Sequence, residues 1–138
     1  MPYEPRFDIP RYNFTEDLAF GEASETIVKQ FLQAMSSGSI EVKHDRYRNG
    51  RIAIETDQYT PAGEWKLSGI NVTTAEWLVY MQTNQTFTII NIPRLKRFLR
   101  MNKRQIIKGP LAKGEYPTLG YLLMPHHVHD LMNSTEYD

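Results

Sequence analysis

Two short runs in which apolar and charged residues alternate without a break stand either side of Asn49-Gly50. In Ile40-Glu41-Val42-Lys43-His44-Asp45, Ile40 and Val42 share one face while Glu41, Lys43 and Asp45 share the other. In Arg51-Ile52-Ala53-Ile54-Glu55-Thr56-Asp57 the isoleucines again oppose Glu55 and Asp57. A period of two is the period of a β-strand, and Asn-Gly is a strong signal for a tight hairpin turn. The pair of runs restricts the chain to folds with a sheet that carries acids on one face.

Register follows from loop length. A two-residue loop pairs Arg48 with Arg51, sets Asp45 opposite Ile54 and mixes the faces. A three-residue loop, Arg48 to Gly50 with Gly50 left-handed, pairs Tyr47 with Arg51 and keeps both apolar sets on one side. The second register is expected. It puts Lys43 opposite Glu55, Asp45 opposite Ala53 and Glu41 opposite Asp57.

The flanking segments complete an α+β (α/β) pattern. Residues 1–13 hold Pro2, Pro5 and Pro10 and read as an extended Pro-rich arm, with residues 14–138 as one domain. Between Glu16 and Ser36, Leu18, Phe20, Ile27, Phe31 and Met35 recur near 3.6 residues, which predicts a helix stopped by Ser36-Ser37-Gly38. Glu64–Ile70 reads as a third strand. Thr73-x-x-Glu76 has the form of a capping box opening a buried helix, Thr74–Gln82. Thr86–Ile92 reads as a strand, and Pro93 as an early residue of the helix carrying Leu95, Phe98 and Leu99. Gln105–Lys108 and Tyr121–Met124 read as further strands. One mixed central sheet flanked by helices satisfies this order.

Charge is neutral in total, 16 bases against 16 acids, but unevenly placed. From Trp77 to Gly114 there are eight bases and no acid: Arg94, Lys96, Arg97, Arg100, Lys103, Arg104, Lys108 and Lys113. Such a segment is either a solvated helix face or a field that a phosphate backbone can use. The chain has no cysteine, which excludes disulfides and thiolate chemistry and fits a cytoplasmic location. No apolar run approaches the roughly 18 residues of a membrane span.

Carboxylates gathered on one face repel unless something compensates. A hard divalent cation does so, taking one or two carboxylates plus water and phosphate oxygens. A nearby lysine can then orient a water or stabilise charge on a phosphoryl group. The bland alternative is a solvent-facing hairpin with Lys43–Glu55 pairing. Glu25 lies in the helical row Gly21, Glu25, Val28, Leu32, at the edge of the apolar stripe, and either points to the acidic face or pairs with an arginine. Pro125-His126-His127-Val128-His129 lacks distant partners at ligand spacing and reads as surface or helix-terminal histidine.

Gly21-x-x-x-Glu25-x-x-Val28-x-x-x-Leu32, then Val42-Lys43-x-Asp45, then Ile54-Glu55, followed by Ser68-Gly69-Ile70 and Thr73-Thr74-Ala75, resembles the PD-(D/E)XK nuclease superfamily. More narrowly, it is similar to small nuclease-like proteins often carried by bacteriophages. The resemblance covers roughly residues 16–100. It implies a restriction-endonuclease-like fold and a DNA phosphodiesterase dependent on Mg²⁺, or Mn²⁺ in its place, acting in the host cytoplasm if phage-encoded. Asp45 would be the central metal-binding aspartate, Glu55 the acid of the (D/E)XK element and Glu25 the acid of the first helix. The third position of that element is Asp57, where the pattern wants lysine. Lys43 is the first substitute and Lys66 the second. Arg94, Lys96, Arg97, Arg100, Lys103 and Arg104 would hold phosphates. The rival readings are a nucleic-acid-binding member without cleavage, and a phage factor that binds a host protein. Cutting both strands at one site would need a homodimer, whose interface nothing in the sequence marks.

Overall fold

The structure is a computed structural model that describes residues 14–138. The Pro-rich arm lies outside the described residues. Among the described residues three helices and two sheets make an α+β fold. The elements are α1 (Phe14–Ser36), β1 (Ile40–His44), β2 (Ile52–Tyr59), β3 (Trp65–Leu67), β4 (Trp77–Thr83), β5 (Thr86–Asn91), α2 (Ile92–Met101), β6 (Gly109–Ala112), β7 (Thr118–Leu123) and α3 (Pro125–Asn133). Single 3-10 turns occupy Gly69–Asn71 and Thr135–Tyr137. Among the described residues no helix is long and apolar enough to cross a membrane.

In place of one central sheet, the strands form two. One is mixed, in the order β1-β4-β5, and the other is antiparallel, in the order β3-β2-β7-β6. The expected β1–β2 hairpin is absent. Instead, β1 runs parallel to β4, Ile40 beside Trp77 and Lys43 beside Tyr80. β2 pairs with β7, Glu55 beside Gly120, and with β3. The registers Lys43–Glu55, Asp45–Ala53 and Glu41–Asp57 therefore do not form. Local hydrogen bonding explains why. Asp45 Oδ1 accepts from Tyr47 N at 2.8 Å and Asn49 Oδ1 accepts from Arg51 N at 3.1 Å. These Asx turns take amides that a hairpin ladder would have used. Arg48 and Gly50 have positive φ, so the chain does turn here, but as a loop between sheets.

The helix expected over Thr74–Gln82 is instead strand β4. Thr73 Oγ1 accepts from Ala75 N at 3.2 Å, and Glu76 N donates to Ser39 O at 3.0 Å, so no capping box closes. Trp77 to Met81 is apolar on both faces because β4 is central, with Leu78 and Tyr80 facing the core; a continuous apolar run of this length suits a buried strand as well as a helix. The Gln105–Lys108 strand is displaced to β6, and Glu64–Ile70 shortens to β3 plus a 3-10 turn.

α2 forms as its sequence demands. The Asn91 side chain accepts from Arg94 N at 3.1 Å, Pro93 stands in the first turn and Arg100 in the last. Leu95, Phe98 and Leu99 enter one core with Ile52 and Ile54 of β2, Leu78 and Tyr80 of β4, Ile90 of β5 and Leu123 of β7. Leu95 and Leu123 have no exposed surface. Burying residues of this size contributes about 1.5–3 kcal/mol each. α1 behaves differently. Of its residues only Ala34 is buried, and Phe31 meets Trp77 edge-to-face at 5.4 Å.

Candidate functional site

The two sheets leave a groove between β1 and β2. On the inner face of β1, Glu41 lies beside Leu78 and Lys43 beside Tyr80, while Val42 faces out. Glu55 projects from β2. Glu41, Lys43 and Glu55 line one end of the groove over a floor of Ile54, Ile70, Leu78 and Leu95. Lys43 Nζ is 3.2 Å from Glu41 Oε1. Lys43 and Glu55 also line the next stretch, with Ala53 and Tyr80. Beyond these, Asp45, Tyr47, Asn49 and Arg51 line a further hollow that shares Ala53 and Tyr80.

Asp45 is buried, and its carboxylate is engaged by the Tyr47 amide. The Tyr80 hydroxyl accepts from Ala53 N at 3.4 Å; burial raises its pKa, and the Asp45 charge adds to that rise. Tyr80 thus stands between Asp45 and the Lys43–Glu55 end of the groove.

Gly69 positions Glu55. Its φ is +54°, and a β-carbon there would lie 2.2 Å from the Glu55 carbonyl oxygen. The Ser68-Gly69-Ile70 segment therefore packs backbone directly on β2 beside Glu55, which no other residue type permits.

The other expected residues are placed elsewhere. Glu25 is exposed on α1 and lines neither Asp45's hollow nor Glu55's. Lys66 is exposed on β3, in register with Gln58, and lines a separate hollow with Glu64 and Trp65. Asp57 forms an ion pair with Lys108, which together with a hydrogen bond from Thr56 holds its carboxyl below the usual carboxylate range. Among the described residues no group of three or more His, Asp or Glu side chains is placed to hold a metal ion.

The basic segment divides. Arg94 donates from Nε to Leu131 O at 2.8 Å and from Nη2 to Ser134 O at 2.6 Å, and pairs with Asp138. Arg97 Nε donates to Tyr137 O at 2.9 Å. These two tie the C-terminal segment to α2. Lys96, Arg100, Lys103 and Arg104 remain exposed. The histidines sit at the start of α3, where His127 Nδ1 accepts from Met124 N at 3.1 Å.

Glu41, which the sequence sets on the acidic face of β1 but not among the expected metal ligands, is a groove residue. Its signal was Glu41-Val42-Lys43, an acid and a lysine two apart on a strand and so on one face. That triplet has the (D/E)-x-K form which Glu55-Thr56-Asp57 lacks. No family model, no curated protein and no solved structure matches the chain.

Proposed function

We propose that the protein is a metal-dependent phosphodiesterase acting on DNA, with a restriction-endonuclease-like arrangement in which Glu41, Lys43 and Glu55 do the chemistry. The observation that carries this reading is their convergence on one groove from two different sheets. Two carboxylates suit Mg²⁺ or Mn²⁺, which leave most coordination positions to water and phosphate oxygens. Glu41 and Glu55 would hold the ion; Asp45 stays in the adjoining hollow, engaged by the Tyr47 amide. When bound, the ion supplies an acidified water and polarises a phosphoryl oxygen.

Lys43 has the protein's own part in the reaction. Its ammonium is held by Glu41, which fixes its place at the groove, and it offers charge-assisted hydrogen bonds to an incoming phosphate. The floor below the acids is apolar, and the half-exposed Lys43 stays within reach of a phosphate entering from solvent. Lys96, Arg100, Lys103 and Arg104 supply exposed positive charge for the backbone.

The test is incubation with plasmid and single-stranded DNA in Mg²⁺, Mn²⁺ or EDTA. Metal-dependent cleavage that disappears in Glu55→Gln and Lys43→Met supports the reading. Cleavage that survives both substitutions, or no cleavage together with no metal binding by calorimetry, removes it. A second reading, DNA binding without cleavage, draws on Asp57: the (D/E)XK position on β2 presents an acid engaged by Lys108. Salt-sensitive binding with no product in any metal would favour it.

A further inference from the structure

α1 carries an apolar seam that its own body does not use. Phe14, Leu18, Gly21, Glu25, Val28, Leu32 and Met35 follow one another at alternating intervals of four and three. That is the spacing by which one helix packs knobs-into-holes against another. The five large apolar members are all about half exposed or more, from Phe14 at 65% to Met35 at 46%. A different side meets the body, and only at its C-terminal end, through Phe31 on Trp77 and buried Ala34; Phe20 and Ile27 on that side are exposed.

We propose that this seam pairs with α1 of a second copy of the chain, antiparallel, in a two-fold dimer. Charge selects both partner and direction. A parallel pair would set Glu25 against the partner's Glu25 within the seam. In the antiparallel register that places Leu18 on the partner's Met35 and Gly21 on the partner's Leu32, Glu22 flanks the partner's Lys29, and two-fold symmetry repeats the pair. Glu22 and Lys29 are seven residues apart, about 10 Å along one helix, too far to pair with each other; Glu25, one turn from Lys29, is the acid its own helix offers it. The neighbouring antiparallel register, shifted by one heptad, would bring Glu22 onto the partner's Glu22. The seam is thus self-complementary in one arrangement, as a two-fold interface requires.

The experiment needs no ligand and is read separately from cleavage: analytical ultracentrifugation of the full chain across the micromolar range, with circular dichroism as a check on folding. A dimer is expected. Glu22→Lys or Lys29→Glu alone should raise its dissociation constant about tenfold, since two pairs turn repulsive at once, and the double reversal should restore it. Because the chain has no cysteine, Leu18→Cys and Met35→Cys report direction. Under oxidation the mixture should cross-link between the two variants, and neither variant should cross-link by itself. A monomer throughout, a dimer indifferent to the reversals, or a disulfide formed by either variant alone would overturn the proposal.

Discussion

Gly69 sits against the backbone of Glu55 so closely that a β-carbon would fall 2.2 Å from the Glu55 carbonyl oxygen. Gly69→Ala must therefore shift β2 or the 3-10 turn, and it adds the strain of a positive φ. A cost of about 3 kcal/mol is expected, read as a lower urea midpoint. Gly21→Ala, at an open helical position, should leave the monomer at least as stable.

Asp57 and Lys108 set an acid limb on stability. The lysine and the Thr56 hydroxyl favour the ionised carboxylate in the folded chain. Its folded pKa is lower than its unfolded one, so the contribution is full above the unfolded value and is lost as pH falls through the folded one. Urea midpoints measured from neutral pH to below 3 should fall less steeply in Asp57→Asn than in the natural chain.

His127 acts on a higher range. Burial, then the neighbouring His126, lowers its pKa, and its Nδ1 must be unprotonated to accept from Met124 N. The unfolded chain takes up a proton before the folded one does. Stability should decline as pH drops below about 6.5 and through the folded pKa. A thermal melt series against His127→Gln, which lacks that titration, reads the difference.

Arg94 fastens the segment after α3 through one edge of its guanidinium, with Nε donating to Leu131 O and Nη2 to Ser134 O, while Nη1 pairs with Asp138. Arg94→Ala should cost about 2 kcal/mol, and Arg94→Lys should recover little, since an ammonium has no planar fork. Hydrogen exchange of α3 and the residues after it should rise in both variants.

DNA affinity should separate the two sets of bases. Replacing Lys96, Arg100, Lys103 and Arg104 by alanine should reduce the salt slope of binding by about 0.9 for each phosphate that is no longer neutralised. Arg97→Ala, whose guanidinium is bonded to Tyr137 O, should leave that slope unchanged.

Local signals proved legible where one short-range cause governs. The run from Leu18 to Met35 makes a helix, and another starts where Pro93 marks it, with Asn91 found as its cap. Strand pairing was not legible, because alternation at Ile40–Asp45 and Arg51–Asp57 says that both are strands without saying which partner each takes. Asp45 and Asn49 decided that locally by capping their own turn. Trp77–Met81 misled for a related reason: apolarity on every side means burial, and only neighbours on both edges make it a strand. At the groove, Lys43 and Glu55 share a site without being paired across a ladder, and Glu41 joins them through its place two residues before Lys43.

The pairing of β1 with β4 and of β2 with β7 has a consequence for how the molecule is made. Ile40 finds its strand partner at Trp77, and Glu55 finds its own only at Gly120. Both are distant closures, so folding should be slow for a chain of this size. On a ribosome, β2 emerges long before β7 and presents an open strand edge until Thr118–Leu123 arrives. Strand β7 thus guards the β2 edge against aggregation during synthesis, a duty separate from anything that happens in the groove.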